Sequence, residues 1–201
     1  MTTIHREEIE WCDLWVRSAG HNGLPRVLCI GDSICRGYYP QVERLLDGRA
    51  ACARLATSRF AADPVYQQEL ALVLGQYRFQ VIHLNNGLHG WDYSEGDYAV
   101  GVRDLVEFLR RLAPAAALVW AASTPIYQAG APGAFDPRHQ RVIERNRIAA
   151  GIMAGHGIAE NDLFNLALGR TGWFTDDGIH YTAEGNAMLG AQVAAAVMKL
   201  V

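Results

Sequence analysis

Short apolar runs alternate along this chain with longer stretches whose apolar residues recur every third or fourth position, the periods of buried strands and of helices packed on one face. Val27-Leu28-Cys29-Ile30 is the clearest run. It predicts a buried strand; Gly31 then allows a sharp turn, and Ser33 follows where a helix can begin. Residues 36–46 carry Tyr39, Val42, Leu45 and Leu46 at helical spacing, with Pro40 near a first turn and Asp47-Gly48 as the stop. Residues 51–56 predict a second strand ending in Thr57-Ser58-Arg59, and residues 65–74 a second helix opened by Asp63-Pro64. A third strand, 79–84, runs into Asn85-Asn86-Gly87-Leu88-His89-Gly90-Trp91. Val102, Leu105, Val106, Leu109 and Leu112 then share a helical face, Pro114 closes that element, and residues 118–121 restart a strand.

Beyond it, Ser123-Thr124-Pro125-Ile126 and the Gly/Pro-rich 130–137 predict a long loop, read either as a crossover of extra length or as a substrate-facing piece. A helix over 138–154 is expected to expose Arg138, Arg141 and Arg145 and to turn Val142, Ala149 and Met153 inward, ending at Gly155-His156-Gly157. Ile158 contributes a short last strand and 162–177 an irregular approach to the carboxyl-terminal helix. Thr182 caps that helix, and its Met188, Leu189, Val193, Ala196, Val197 and Leu200 cover the sheet. Ahead of the first central strand, Trp11, Leu14, Trp15 and Val16 read as an entry strand or as a lid over the sheet margin, followed by a turn at His21-Asn22-Gly23.

Strands alternating with helices argue for a mainly parallel sheet covered on both faces. The expected architecture is one three-layer α/β/α domain over residues 1–201, with residues 1–24 as an amino-terminal edge extension. A chain of 201 residues, 50% of them hydrophobic, suffices for one substantial core. Its formal net charge of -3 offers no polyanion-binding surface, so nucleic acid is not an expected partner. No run reaches the length of a membrane span, and the polar, partly acidic residues 1–10 lack the basic start and apolar core of a secretory peptide. A soluble cytoplasmic protein with no membrane partner is the expectation. Cys12, Cys29, Cys35 and Cys52 have no metal-ligand spacing and read as buried or idle thiols.

Ser33 falls at the carboxyl end of a strand, where open α/β sheets place their chemistry; its bland reading is a helix N-cap. Far along the chain, Asp177-Gly178-Ile179-His180 offers the two other chemical types that a serine nucleophile needs. A hydroxyl supplies little alkoxide at neutral pH, imidazole is suited to remove its proton, and a carboxylate fixes the tautomer and stabilises the imidazolium. One turn brings acid and imidazole together, with Asp176 as a competing acid next door.

Gly31-Asp32-Ser33 after the first core strand and Asp177-Gly178-Ile179-His180 before the last helix resemble the nucleophile block and the carboxyl-terminal Asp-x-x-His block of the SGNH hydrolases, the GDSL-like esterases and lipases. The order, separation and strand contexts of the two blocks carry the resemblance, which spans the chain from Val27 through the last helix. It implies a flavodoxin-like sheet, Ser33 as nucleophile, His180 as base, Asp177 as the acid that orients it, and the Ser33 amide as one oxyanion donor.

Two other blocks depart from that pattern. Where the second has glycine, this chain has Thr57-Ser58-Arg59; Ser58 still carries a backbone N–H and stands as a second oxyanion donor. Where the third reads Gly-x-Asn-Asp, this chain has Gly87-Leu88-His89-Gly90, with His89 at the asparagine position; a shift of one or two residues brings Asn86 there instead. The segment from Asn85 to Trp91 is similar to a variant of carbohydrate-ester branches, which implies an ester of a polar or carbohydrate-like alcohol. Asn85, Trp91, Tyr127 and Trp173 are the expected substrate contacts, among strand-end aromatics that include Tyr38, Tyr39 and Tyr93. The expected reaction is hydrolysis of a short-chain acyl ester, acetyl first, through an acyl-serine intermediate. The alternatives are acyl transfer to a sugar or alcohol by the same residues, and a noncatalytic ligand-binding protein on this fold. No cofactor is expected, and His83, His89 and His156 lack a zinc spacing with an acidic partner.

Overall fold

The computed structural model describes residues 4–20 and 23–201. In chain order, β1 (Cys12–Val16), β2 (Arg26–Gly31), α1 (Ser33–Leu45), β3 (Ala51–Thr57), α2 (Pro64–Leu74), β4 (Val81–Leu84), α3 (Glu95–Leu112), β5 (Ala117–Ala121), β6 (Tyr127–Gln128), β7 (Ala131–Phe135), α4 (His139–Gly155), β8 (Ala159–Asn161), α5 (Leu163–Ala167) and α6 (Ala183–Val197) follow one another. They form a six-stranded sheet of order β1-β3-β2-β4-β5-β8 and a separate ribbon, β6-β7. Within the large sheet, β1 is antiparallel to β3 and the other pairs are parallel.

Burial on both faces makes β2 a continuous apolar run. Val27 and Cys29 enter one apolar cluster with residues of α1 and α6, while Leu28 and Ile30 enter the other with residues of α2, α3 and α4. All four are 0% exposed, and full burial of a Leu, Ile or Val side chain is worth about 1.5–3 kcal/mol. From β2 the chain steps to β3 on one side and then crosses to β4 on the other, so the switch point lies at the carboxyl ends of β2 and β4. The segments leaving those two ends carry Ser33 and residues 85–91.

The N-cap of α1 is Asp32, whose Oδ1 accepts the Ile34 N–H at 2.9 Å. Ser33 is the first helical residue, so the N-cap reading of its side chain does not apply. Helices α1 and α6 approach closely: a Cβ on Gly190 would stand 2.8 Å from the Tyr38 carbonyl oxygen and 2.7 Å from Gln41 Cβ. That approach brings the segment preceding α6, with His180, over the start of α1.

Several expectations are refined. Residues 12–16 are an entry strand, paired residue for residue with β3 from Cys12↔Thr57 to Val16↔Ala53. The first two residues of the turn at His21-Asn22-Gly23 lie outside the described residues. Helix α3 begins at Glu95, ahead of its apolar stripe, because Ser94 and Asp97 form a reciprocal capping box. The stretch 130–137 contributes β7, and 162–177 contains α5 and a 3₁₀ turn at Thr171–Trp173. Arg138, the residue ahead of α4, and Arg141 on it are half-buried, but Arg145, expected in solvent, is 0% exposed. The segment 87–90 covers it and supplies its hydrogen-bond acceptors. All four cysteines are free, Cys12 exposed and the others buried. Among the described residues no helix is long and apolar enough to cross a membrane.

His83, in the middle of β4, is 0% exposed, and its Nε2 accepts from Asn161 Nδ2 at 3.0 Å. Burial pushes its pKa down from 6.5 to about 4. As pH falls, the unfolded chain takes up this proton first and the folded chain only near the lower value, so acidification across that window favours unfolding, by about 3 kcal/mol at its lower end. Urea titrations between those two pH values are expected to show this loss. His83→Gln, which keeps an acceptor for Asn161, is expected to flatten it; the same slope in the variant would show that another group titrates.

Candidate active site

Ser33, at the start of α1 and only partly exposed, meets His180 at the switch point although 147 positions separate them. His180 Nε2 stands 2.8 Å from Ser33 Oγ, and His180 Nδ1 stands 2.6 Å from Asp177 Oδ2. The other carboxylate oxygen, Oδ1, accepts the backbone N–H groups of Ile179 and His180, each at 2.9 Å, and the Thr175 hydroxyl at 2.8 Å. Partial burial of Asp177 opposes ionisation, but the hydrogen bonds from His180, the two amides and Thr175 outweigh it and hold its carboxyl well below the usual carboxylate range. The competing acid, Asp176, meets the turn of the ribbon through its backbone: its carbonyl accepts the Gly130 N–H at 2.8 Å.

Gly178 makes the turn possible. Its φ is +73°, and a Cβ there would stand 2.3 Å from the Tyr127 carbonyl oxygen. The Gly178 carbonyl accepts the Tyr127 N–H at 2.8 Å, so the start of the β6-β7 ribbon clamps the turn that carries Asp177 and His180. Ser33 N–H has no acceptor within the helix, whose N-terminus carries partial positive charge. Such an arrangement can draw a proton from Ser33 Oγ while its own N–H faces any negative charge that develops beside it.

No protein-family model matches this sequence, and no curated protein sequence matches it significantly. Solved structures do. A GDSL-like lipase from Bacteroides thetaiotaomicron superposes with a TM-score of 0.70 at 13% identity, covering 88% of this chain and 89% of its own. An aryl esterase from M. smegmatis gives 0.70 at 18% identity, over 88% of this chain and 100% of its own. A carbohydrate acetylesterase from Sinorhizobium meliloti gives 0.66 at 18% identity, again over 88% and 100%. The fold is that of the SGNH hydrolases.

Two of the expected oxyanion donors are engaged elsewhere in the fold. Ser58 is withdrawn as an oxyanion donor: its N–H goes to the Trp11 carbonyl at 3.1 Å, and its hydroxyl accepts the Trp11 N–H at 3.0 Å. Trp11, the residue just ahead of the antiparallel edge strand, takes what a parallel-only sheet would have left free. Asn86 is withdrawn as well, because Oδ1 accepts the Ala61 N–H at 3.1 Å and Nδ2 donates to the Arg59 carbonyl at 2.8 Å, with the residue 6% exposed. His89 remains, its ring on the wall of a cavity of about 430 Å³ shared with Ser33 and His180.

The expected substrate contacts separate. Trp91 lines that cavity, its ring flanked by the guanidinium groups of Arg138 and Arg145 at 5.1 and 4.7 Å. Asn85 instead ties strand ends together, donating to the Ala121 carbonyl at 2.6 Å and to Ser123 Oγ at 3.1 Å. Tyr127 is core: it is 3% exposed, its hydroxyl accepts the Gly169 N–H at 2.9 Å, and its ring stacks on Phe135. Trp173 packs on the core at the foot of α6 and donates from Nε1 to Glu184 at 3.3 Å. Tyr38, Tyr39 and Tyr93 are buried too. Tyr38, Tyr39, Tyr127 and Trp173 join the apolar cluster around α1 and α6, and Tyr93 joins the other one.

Three groups at the site escaped the sequence reading. Glu7 and Arg138 line the large cavity, and Arg36, its guanidinium 4.8 Å from the Trp11 ring, lines a second groove of about 240 Å³ that Ser33 and His180 also border. Arg36, one helical turn beyond Ser33, was readable by spacing; Glu7 had no local signal. Among the described residues no group of three or more His, Cys, Asp or Glu stands close enough to hold a metal ion.

Proposed function

We propose that this chain is a serine esterase of the SGNH type that hydrolyses a short-chain acyl ester, acetyl first, of a polar or carbohydrate-like alcohol. The observation that carries the proposal is the unbroken hydrogen-bond chain from Asp177 through His180 to Ser33, 2.6 and 2.8 Å long, at the sheet's switch point. Ser33 Oγ attacks the ester carbonyl carbon while its proton passes to His180 Nε2. The carbonyl π pair moves onto oxygen, and that oxyanion faces the Ser33 N–H and the His89 ring. Collapse of the intermediate breaks the bond to the alcohol, which leaves with the proton from His180. Water, deprotonated by the same imidazole, then attacks the acyl-serine and releases the acid.

The lining of the large cavity supports a polar alcohol: Arg6, Glu7, Glu8, Asp92 and Arg138 line it together with Trp91. An indole among charged groups suits a hydroxyl-rich ring better than a long acyl chain. The neighbour named as a carbohydrate acetylesterase supports the same reading. The test joins two measurements: labelling by a serine-directed phosphonate, and rates on acetyl, butyryl and octanoyl esters of one alcohol. Ser33 is expected to carry the phosphonate, and acetyl to exceed octanoyl by roughly tenfold or more. Rates that climb with chain length would overturn the short-acyl assignment; an unlabelled Ser33 together with no turnover would overturn the esterase.

A further inference from the structure

Ahead of β1, the amino-terminal segment crosses the front of the switch point, and Glu7 reaches from it to the third block. Its two carboxylate oxygens stand 3.0 and 2.9 Å from His89 Nδ1, and Oε1 also accepts the Gly90 N–H at 3.1 Å. The segment is fixed on either side of Glu7. The His5 N–H donates to the Tyr93 hydroxyl at 2.8 Å, Arg6 pairs with Glu10 and Asp63, and the Trp11 ring meets the His89 ring edge-on with centroids 6.4 Å apart. Nothing in the hydrogen-bond chain from Asp177 to Ser33 uses the Glu7–His89 pair.

Imidazole chemistry limits what this pair can do. Bonded to a carboxylate, Nδ1 keeps its proton. If the ring is neutral, Nε2 then has only a lone pair, which repels an oxyanion; if the ring is an imidazolium, Nε2 carries an N–H and can donate. Only the charged ring can take the role that asparagine has in the pattern this block departs from. The need for it is real, since the Ser58 amide is spent on Trp11.

We infer that Glu7 is a positioning residue that holds His89 as an imidazolium, so that Nε2–H serves as the oxyanion donor that the second block no longer supplies; the inference rests on the esterase reading above. The amino-terminal segment thus removes one donor, through Trp11, and furnishes its replacement, through Glu7. Burial of the ring opposes its charge, but the Glu7 hydrogen bond and the carboxylates of Asp32 and Glu7 outweigh burial and the opposing Arg145, so the pKa of His89 is raised. These three charged residues face the ring from the amino-terminal segment, the N-cap of α1 and α4. His180 shares the cavity, with Arg6, Glu8, Asp92 and Arg138 along its rim.

Glu7→Gln tests the charge itself, because glutamine keeps an acceptor for Nδ1–H and for Gly90. In this variant kcat is expected to fall about 10–100-fold with KM within about twofold, as for a group that acts only on the transition state. Loss of the imidazolium at rising pH cuts the rate, so the alkaline limb of kcat should move to lower pH, and the ¹⁵N titration of the His89 ring should move with it. His89→Ala should lower kcat about 10²–10³-fold, and adding Glu7→Gln to it should change nothing further. If kcat and the alkaline limb stay put in Glu7→Gln while turnover still depends on Ser33, the inference is wrong and the esterase reading stands. If the unaltered protein shows no Ser33-dependent turnover, the esterase reading falls and the inference with it. Should Glu7→Gln not fold, ring ¹⁵N shifts of the unaltered protein decide the matter: an unprotonated Nε2 on His89 at the pH of maximal turnover would overturn the inference.

Discussion

Ser33→Ala and His180→Ala are each expected to lower kcat by about 10⁴-fold or more, and the double variant to fall little further. On the proposed mechanism the two groups act on one proton. His180 Nε2, 2.8 Å from Ser33 Oγ, has nothing to deprotonate once the hydroxyl is gone, and Ser33 without the imidazole stays a neutral alcohol. The residual rate is what the Ser33 N–H, the His89 ring and substrate binding still provide. Folding should not change, since Ser33 and His180 are both partly solvent-exposed and their truncation opens no cavity in either apolar cluster. Steady-state kinetics beside a thermal melt check both halves. A double variant whose loss is the product of the single losses would mean that Ser33 and His180 act in separate steps.

How much of this site was legible depends on how local each signal is. The strand before Gly31, the helix start at Ser33 and the Asp-x-x-His spacing are each encoded within a few residues, so the two ends of the hydrogen-bond chain could be named although only the fold brings them together. The same holds for the parallel strands, whose two-faced burial shows as unbroken apolar runs. Ser58 and Asn86 were misjudged because a backbone amide or a side-chain carboxamide looks free until the neighbouring strand is known, and here Trp11, Ala61 and Arg59 take them. Tyr127, in a two-residue strand, and Trp173, in a single 3₁₀ turn, sit in elements too short for period to give an inside or outside. Glu7 is 82 residues from His89, and nothing near either of them announces the pair. The start of α3 was readable: Ser94-x-x-Asp97 is a capping signature, but it precedes the apolar stripe by a polar turn.

Arg145 is the residue whose charge misled most, and its removal should be the most destabilising single change outside the apolar clusters. A charged side chain on a helix face reads as solvent-facing, yet this one is fully buried beneath the third block. Its Nη1 donates to the carbonyls of Gly87 at 3.0 Å and His89 at 2.7 Å, its Nη2 to that of Gly90 at 2.9 Å, and its guanidinium lies 4.7 Å from the Trp91 ring and 5.3 Å from that of Tyr98. Arg145→Met, which matches the stem but donates nothing, would strip the buried Gly87 and His89 carbonyls of the guanidinium's hydrogen bonds and leave the Gly90 carbonyl with the Tyr93 N–H at 3.2 Å. The expected loss is about 3–5 kcal/mol, read as a fall of roughly 6–20 °C in Tm. Arg145→Lys should recover only part of it, since one ammonium cannot reproduce a planar fork aimed at three oxygens. The loop held by these bonds also carries His89, so the fraction of Arg145→Met that stays folded should turn over more slowly while Ser33 still accepts a phosphonate. A Tm within about 2 °C of the unaltered protein, a change worth less than about 1 kcal/mol in a chain this long, would mean that water or a rearranged loop satisfies the Gly87 and His89 carbonyls and that the guanidinium is not what holds the third block in place.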